Sequence, residues 1–331
     1  MLLRVIVAFF AVQIIILVAS ALHALYYHKL CPEVNFTERY GVNAWVVITG
    51  GSSGQGRRFA LEFAARGFNI LLVGSKRSLD VQREIEKLHP GVEARVLLKD
   101  FTEAWSPSFF DDVKKSLSEI PKGKIAFLIN NVGHRVAYKP HHEMPEELIR
   151  HTIACGTITQ AMMTRICLPH LLHRDVNVKS GIISITAQVL HPTHSLGIAM
   201  NGDLPLPYLA PYEASNAFGY HHARSIYKEY LNDPASNIDM LIITPGAVLT
   251  SNTSPILQGT VGALEDSEFV ANIMRLVGNV TGVWAGSCTQ GLSLWLIGLF
   301  PPVKDYVLLK TGERIAECLM RRRQECRRVV D

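Results

Sequence analysis

A short apolar strand that runs directly into a glycine turn constrains this chain more than any other feature. Trp45-Val46-Val47-Ile48-Thr49 is a β-branched run of the kind that forms a strand buried on both faces. It passes without a spacer into Thr49-Gly50-Gly51-Ser52-Ser53-Gly54-Gln55-Gly56, and a helical pattern follows, with Phe59, Leu61, Phe63 and Ala64 among its apolar positions. A glycine turn at a helix start is an anion site, because bare backbone approaches the phosphate while the first helical N–H groups and the dipole attract it. The candidate contacts are Thr49, Gly50, Ser52, Ser53, Gly54 and Gly56. After Gly67, Phe68-Asn69-Ile70-Leu71-Leu72-Val73 reads as a second buried strand and completes a βαβ unit of about thirty residues. Such units build a doubly wound parallel α/β sheet, here in a single domain.

The end of the second strand selects the dinucleotide. A carboxylate there binds the ribose 2′-hydroxyl of NAD, whereas basic residues accommodate the 2′-phosphate of NADP. The strand runs out into Gly74-Ser75-Lys76-Arg77 with no carboxylate before Asp80, and Arg57 adds a cation just past the last glycine. A solvated basic turn is the alternative. The position favours NADP(H), with Arg57, Ser75 and Lys76 as contacts.

Further segments follow in a telling order: Asp100-Phe101, then Asn130-Asn131-Val132-Gly133 after the strand Ile125–Ile129, then Tyr212-Glu213-Ala214-Ser215-Asn216, then Pro245-Gly246-Ala247-Val248-Leu249-Thr250. Together with the glycine turn they resemble the classical short-chain dehydrogenase/reductases over about residues 40–320. Arg66-Gly67-Phe68-Asn69-Ile70, Met163-Thr164-Arg165 with Leu168-Pro169, and Thr281-Gly282-Val283-Trp284 are similar to one branch. That branch comprises the 17β-hydroxysteroid dehydrogenases and very-long-chain 3-ketoacyl-CoA reductases of the endoplasmic reticulum. The resemblance implies a Rossmann-type fold and NADP(H)-dependent reduction of a lipid 3-keto group, either a 3-ketoacyl-CoA in fatty acid elongation or a ketosteroid. It places Asp100 at the adenine, has Asn131 and Gly133 support the sheet beside it, and brings Pro245, Gly246 and Thr250 to the nicotinamide carboxamide.

The departures from the resemblance carry the functional question. The family's tetrad is Asn, Ser, Tyr and Lys: the tyrosine donates the proton, the serine hydrogen-bonds the carbonyl oxygen, the lysine holds the ribose and acidifies the tyrosine, and the asparagine fixes a water. Tyr212 matches, but Asn216 stands where the lysine is implied. The serine position falls on Ala187, with the Thr186 hydroxyl one residue earlier, and the asparagine position falls on Gly156. Losing one donor to a developing oxyanion costs roughly 10²–10³ in rate. A free phenol titrates near pH ~10, so at neutrality Tyr212 starts protonated, as ketone reduction requires and alcohol oxidation does not. Two classes stay open: a reductase working through Tyr212 with help from Thr186, and a pseudoenzyme that binds NADPH and acts through protein partners.

Ala187 and Tyr212 are 25 residues apart, more than the resemblance implies. The insert around His191-Pro192-Thr193-His194 and Pro205-Leu206-Pro207-Tyr208 reads as a loop beside the substrate pocket, where His191 or His194 either replaces a lost donor or stays solvated. The pairs His141-His142 and His221-His222 lack the accompanying Cys or carboxylates of a metal site.

Val5 to Tyr27 is apolar apart from Gln13, Ser20 and His23. At 1.5 Å per residue, about 23 helical residues cross a hydrocarbon core of ~30 Å. A single-pass anchor is expected over residues 1–30, then a linker at 31–43, the domain at 44–320 and a basic tail at 321–331. Ala19-Ser20-Ala21 offers the competing reading of a cleavable signal peptide. The resemblance implies the endoplasmic reticulum membrane with a cytosolic domain. The cysteines show neither metal spacing nor a compact disulfide framework, and Cys155 and Cys167 read as small core residues of a reduced protein. A net charge of +4 without a concentrated basic face argues against nucleic acid, and a homodimer is compatible with the sequence. The apolar stretch Trp284 to Leu309 either lines a pocket for a long acyl or sterol chain, lies on the membrane, or enters it.

Overall fold

The computed structural model describes residues 2–133, 139–174, 177–187, 207–231, 233, 236–250, 253, 262–291, 306, 309, 310 and 313. The insert residues 188–206 with His191 and His194, residues 292–305 of the apolar stretch and the tail at 321–331 fall outside that set. Helix α1 (Leu2–Leu25) continues through a π-helical turn at Tyr26–Leu30, and a short helix α2 (Phe36–Tyr40) follows. The domain then alternates: β1 (Trp45–Thr49), α3 (Gly54–Ala65), β2 (Asn69–Gly74), α4 (Ser78–Leu88), β3 (Ala94–Leu98), α5 (Phe109–Ser118) and β4 (Ile125–Asn130). A long helical run comprises α6 (Glu146–Ile153), a π-helical segment at Ala154–Ile158 and α7 (Thr159–Leu172). After it come β5 (Ser180–Ile185), α8 (Ala210–Leu231), β6 (Ile238–Thr244), β7 (Val248–Leu249), β8 (Leu264–Glu265), α9 (Asp266–Leu276) and β9 (Gly282–Ala285).

The main sheet has seven strands in the order β3-β2-β1-β4-β5-β6-β9, every pair parallel, as the strand–turn–helix alternation predicts. The strand order reverses between β1 and β4, and a crevice opens beyond their carboxyl ends at such a switch point. Side chains alternate across the sheet. Val46 and Ile48 of β1 join Phe59 and Phe63 of α3 and Phe269 and Ile273 of α9 on one face. Trp45 and Val47 join Val113 of α5 and Met163 and Cys167 of α7 on the other. The β1 residues are buried throughout, which is why their sequence shows no polar alternation. Cys155 and Cys167 are buried free thiols, as expected, and burial pushes each up to about 12.

The span Val7–Leu30 has a mean hydropathy of 2.3 and is unburied over its most apolar part, so by length and composition it suffices to cross a membrane. Residues 31–43 include α2, whose Phe36 and Tyr40 are buried in the domain core. The segment expected as a linker is thus packed where α2 lies.

Candidate active site

The crevice is built around the end of β1. Thr49 is fully buried there, and its Oγ1 donates to the Ile129 carbonyl of β4 at 3.2 Å while accepting from the Asn131 N–H at 3.0 Å. Asn131 Nδ2 donates in turn to the carbonyls of Thr49 and Gly50, both at 3.2 Å. These bonds fix the glycine turn to the neighbouring strand end. Gly50 and Gly54 hold φ of +70° and +52°, where a side chain is strained. No side chain caps the first turn of α3, so its N–H groups remain open to an anion, beside Ser52 and Ser53.

Gly56 lets the helix approach the turn. A Cβ there would stand 2.5 Å from Asn131 Nδ2 and closer still to the Gly50 carbonyl oxygen. Gly56→Ala is expected to weaken NADPH binding ~10-fold or more, since overpacking of this kind costs ~1–3 kcal/mol. Fluorescence titration of NADPH, with the unfolding midpoint measured in parallel, checks this.

Beyond β2 the structure separates the candidate cations. Ser75, Lys76 and Arg77 are exposed, and neither Lys76 nor Arg77 forms an ion pair among the described residues. Arg57 is committed elsewhere: its guanidinium forks onto Glu84 of α4, with Nε to Oε2 at 2.8 Å and Nη2 on Oε1. The Ser78 hydroxyl, which sequence reading missed, is fully buried with no hydrogen-bond partner. A Cβ built on Gly74 would lie 3.2 Å from it and 3.9 Å from Gly50 Cα, so this hydroxyl borders the glycine turn. Asp100 is exposed at the end of β3, and its Oδ1 accepts from the N–H and hydroxyl of Thr102 at 3.0 and 2.8 Å. Gly133 is exposed, with open space where a side chain would stand.

The loop Pro245–Thr250 closes the same edge. Thr250 lies against Gly54, where an added Cβ would meet its side chain at 3.1 Å. Gly246 N–H donates to Oε1 of the buried Gln290 at 3.0 Å, and Gln290 Nε2 donates to the Ala247 carbonyl at 3.0 Å and the Gly262 carbonyl at 3.3 Å. Gln290 therefore pins the loop that carries Pro245, Gly246 and Thr250. Its place 40 residues beyond Thr250 gives no signal in the sequence.

Tyr212 stands in the first turn of α8, half-buried. Burial and the neighbouring Glu213 carboxylate push its phenol up to about 12, against an opposing hydrogen bond from the Asn216 side chain. Burial also pushes the Glu213 carboxyl up to about 7. Asn216 Nδ2 donates to the Tyr212 backbone carbonyl at 2.9 Å, and Ser215 Oγ donates to the same carbonyl at 2.8 Å. The amide in the implied lysine position thus turns back onto its own helix. Gly156 lies in the π-helical segment facing this turn, and a Cβ on it would fall 2.8 Å from Ser215 Oγ. The two helical segments therefore approach too closely at Gly156 to leave room for a side chain there. Thr186 is buried at the end of β5, and its hydroxyl donates to the Ile243 carbonyl of β6 at 3.2 Å, with the Ala187 carbonyl at 3.3 Å. That proton is engaged in the sheet, and offering it to a substrate requires the side chain to rotate.

Chemically, the arrangement is a dinucleotide crevice with the Tyr212 phenol and the Glu213 carboxyl at the start of α8. A phenol near 12 stays protonated at neutral pH, so the proton that reduction needs is present but held tightly, and the phenolate that oxidation needs is scarce.

The short chain dehydrogenase family model matches residues 44–260. The 17-beta-hydroxysteroid dehydrogenase type 3 of Homo sapiens is 28% identical over 283 residues, spanning 84% of this chain and 81% of that protein. A very-long-chain 3-oxoacyl-CoA reductase of Coccidioides immitis (strain RS) is 26% identical over 313 residues, spanning 92% and 83%. Among solved structures, a short-chain dehydrogenase from Sphingobium yanoikuyae in complex with NADPH aligns with a TM-score of 0.58 at 23% identity, covering 73% of this chain and 87% of that one. The matched region holds the glycine turn, the strand-end asparagines, Tyr212 and the Pro245–Thr250 loop together, and this chain belongs to the short chain dehydrogenase family.

Proposed function

We propose that this chain is a membrane-anchored NADP(H)-linked oxidoreductase that reduces the keto group of a lipid, a 3-ketoacyl-CoA or a ketosteroid. What supports the reading is Tyr212 in the first turn of α8, its phenol pushed up to about 12, in a chain that also carries the glycine turn at the end of β1. The substrate class rests on the relatives, named as 3-oxoacyl-CoA reductases and a 17-beta-hydroxysteroid dehydrogenase. Tyr212 is the proton donor, and Asn216 and Thr186 are the residues nearest in sequence position to the missing partners. The anchor reading rests on α1, and the endoplasmic reticulum is the compartment that the resemblance implies. The test is NADPH consumption with a long-chain 3-ketoacyl-CoA, comparing wild type with Tyr212→Phe. Turnover that vanishes in the variant supports the reading, and turnover indifferent to Tyr212 overturns it.

NADP(H) is favoured over NAD(H) by Lys76 and Arg77, which are exposed and make no ion pairs among the described residues. Reversing both charges (Lys76→Glu with Arg77→Glu) is expected to weaken NADPH binding ~10–100-fold while leaving NADH within about threefold, at ~1.4 kcal/mol per decade. Arg57→Ala is expected to do much less, because Glu84 already holds that guanidinium. Parallel titrations with the two dinucleotides separate these outcomes.

A second reading has its own support. The back-turned Asn216 amide, the Gly156–Ser215 approach and the engaged Thr186 hydroxyl all fit a protein that binds NADPH and acts through partners. Intact NADPH binding without turnover on either substrate class would select it.

A further inference from the structure

The route by which α1 joins the domain sets which side of the domain meets the bilayer. Helix α9 runs from the rim of the crevice to the opposite edge of the sheet. Its head follows β8, which pairs with β7 just beyond the carboxyl end of β6, and the first turns of α3 and α9 meet through Arg58 Nε and Asp266 Oδ1 at 3.2 Å. Its foot leads to Asn279 and the start of β9. The segment joining α1 to α2 lies along this helix. At the foot, Asn279 Nδ2 donates to the Pro32 carbonyl at 2.8 Å, and Glu33 pairs with Arg66, at the end of α3, at 2.6 Å. At the head, Lys29 Nζ reaches Glu268 at 3.3 Å. Traced back towards the N-terminus, the chain climbs α9 from foot to head, and α1 continues past the head.

The junction is packed rather than tethered. The ring of His23 stacks on Trp284 of β9 at 5.4 Å, and those of Tyr27 and His28 meet it edge-on at 5.5 and 6.0 Å. Tyr26 stands beside them, 47% exposed. Tyr and Trp gather at the headgroup level of bilayers, where an apolar ring with a polar edge is best solvated. The aromatic cluster therefore marks the water boundary at the head of α9, level with the rim.

We infer that this strap holds the crevice rim against the bilayer, so that the substrate is a ketone on a long apolar chain, taken directly from the leaflet. The inference rests on the membrane-anchored reductase reading above. It differs from that reading in fixing the domain's orientation: a domain swinging on a free tether would present rim and foot to the lipid equally. A rim at the headgroups lets an apolar tail stay in the acyl layer while its keto group rises to the crevice, which spares the cost of moving the chain through water, ~0.8 kcal/mol per CH₂.

The test uses the full chain, with Cys288, Cys318 and Cys326 changed to Ser, in phosphatidylcholine vesicles containing a headgroup spin-labelled lipid. A thiol-reactive fluorophore is placed at Ser267→Cys, exposed in the first turn of α9, or at Val42→Cys, 61% exposed at the foot ahead of β1. The five residues of β1 alone separate rim from foot by ~17 Å. Quenching of the Ser267 probe at least threefold stronger than of the Val42 probe is the expected result. Equal quenching, or stronger quenching at Val42, in protein that has entered the vesicles overturns the orientation and leaves the anchor standing. Failure to enter the vesicles overturns the anchor reading and the orientation with it. Glu265→Cys, exposed on the same rim, serves if Ser267→Cys does not fold. Adding Trp284→Ala and Lys29→Glu is expected to erase the difference between rim and foot without releasing the protein from the vesicles.

Discussion

Placing a lysine one turn from Tyr212 with Asn216→Lys is expected to raise NADPH-linked ketone reduction by ~10²-fold, the scale on which a well-matched general acid contributes. Residues 212 and 216 are neighbours one turn apart on α8. In the native chain the 216 amide donates to the Tyr212 carbonyl at 2.9 Å, and its hydrogen bond lowers the phenol's pKa only partly, since it brings no charge. Burial and Glu213 then leave that phenol near 12, a reluctant donor. An ammonium in its place stabilises the phenolate and lowers the pKa, and each unit is worth ~1.36 kcal/mol. The direction of reaction sharpens the test. At pH 7 a phenol near 12 lies five decades below its midpoint, so roughly one molecule in 10⁵ carries the phenolate that alcohol oxidation needs. Native oxidation should therefore climb with pH beyond 9, while the lysine variant should level off at a lower pH. Initial rates in both directions between pH 6 and 10 measure this, with Tyr212→Phe as the inactive reference. An unchanged rate and an unchanged pH profile would remove Tyr212 as the acid.

How much of this was legible in the sequence depends on how far apart the cooperating residues lie. The strand, turn and first helix from Trp45 to Ala65 are consecutive, and their dinucleotide geometry follows from local chain properties. The bond from Asn131 to the Thr49 carbonyl joins strand ends that become neighbours once the sheet is doubly wound. Arg57 shows the limit. Its position promised a phosphate contact, but Glu84 lies on the adjoining helix α4, and only tertiary packing reveals the fork between them. The Ser78 hydroxyl, the Gln290 clasp and the Gly156–Ser215 approach are likewise juxtapositions across separate elements. The residues at 156, 187 and 216 were readable one by one, but not the close approach of Gly156 to Ser215, which only the packing of α8 against the π-helical segment shows.

Removing the Asp239 carboxylate with Asp239→Ala is expected to destabilise the domain by about 3 kcal/mol, the low end of the cost of breaking a buried ion pair from one side, since its two cations are about a third exposed. Asp239 lies in β6 at 6% exposure and gathers three donors: Arg39 Nε at 2.9 Å, the Tyr40 hydroxyl at 2.8 Å and Lys179 Nζ at 3.1 Å. Two of these come from α2 and the third from just before β5, so one carboxylate ties the N-terminal segment to the strand pair β5–β6. Tyr40 is fully buried, and burial, reinforced by Asp239, holds its phenol well above the ordinary range. Without the acceptor its hydroxyl is orphaned in the core, and two cations lose their counter-charge. A domain stable by only about 5–15 kcal/mol would lose a large share of its margin. Asp80→Ala provides the contrast, since the Arg83–Asp80 pair is 73% and 70% exposed and should cost ~0–1 kcal/mol. Asp239→Asn, which keeps an acceptor for Tyr40 but no charge, should fall between them. Urea midpoints of the detergent-solubilised chain at constant m-value read all three. A loss below ~1 kcal/mol for Asp239→Ala would mean that the aromatic packing of Phe36 and Tyr40 holds α2 by itself. A loss in the expected range would make this carboxylate the electrostatic fixing point of the segment through which α1 joins the sheet.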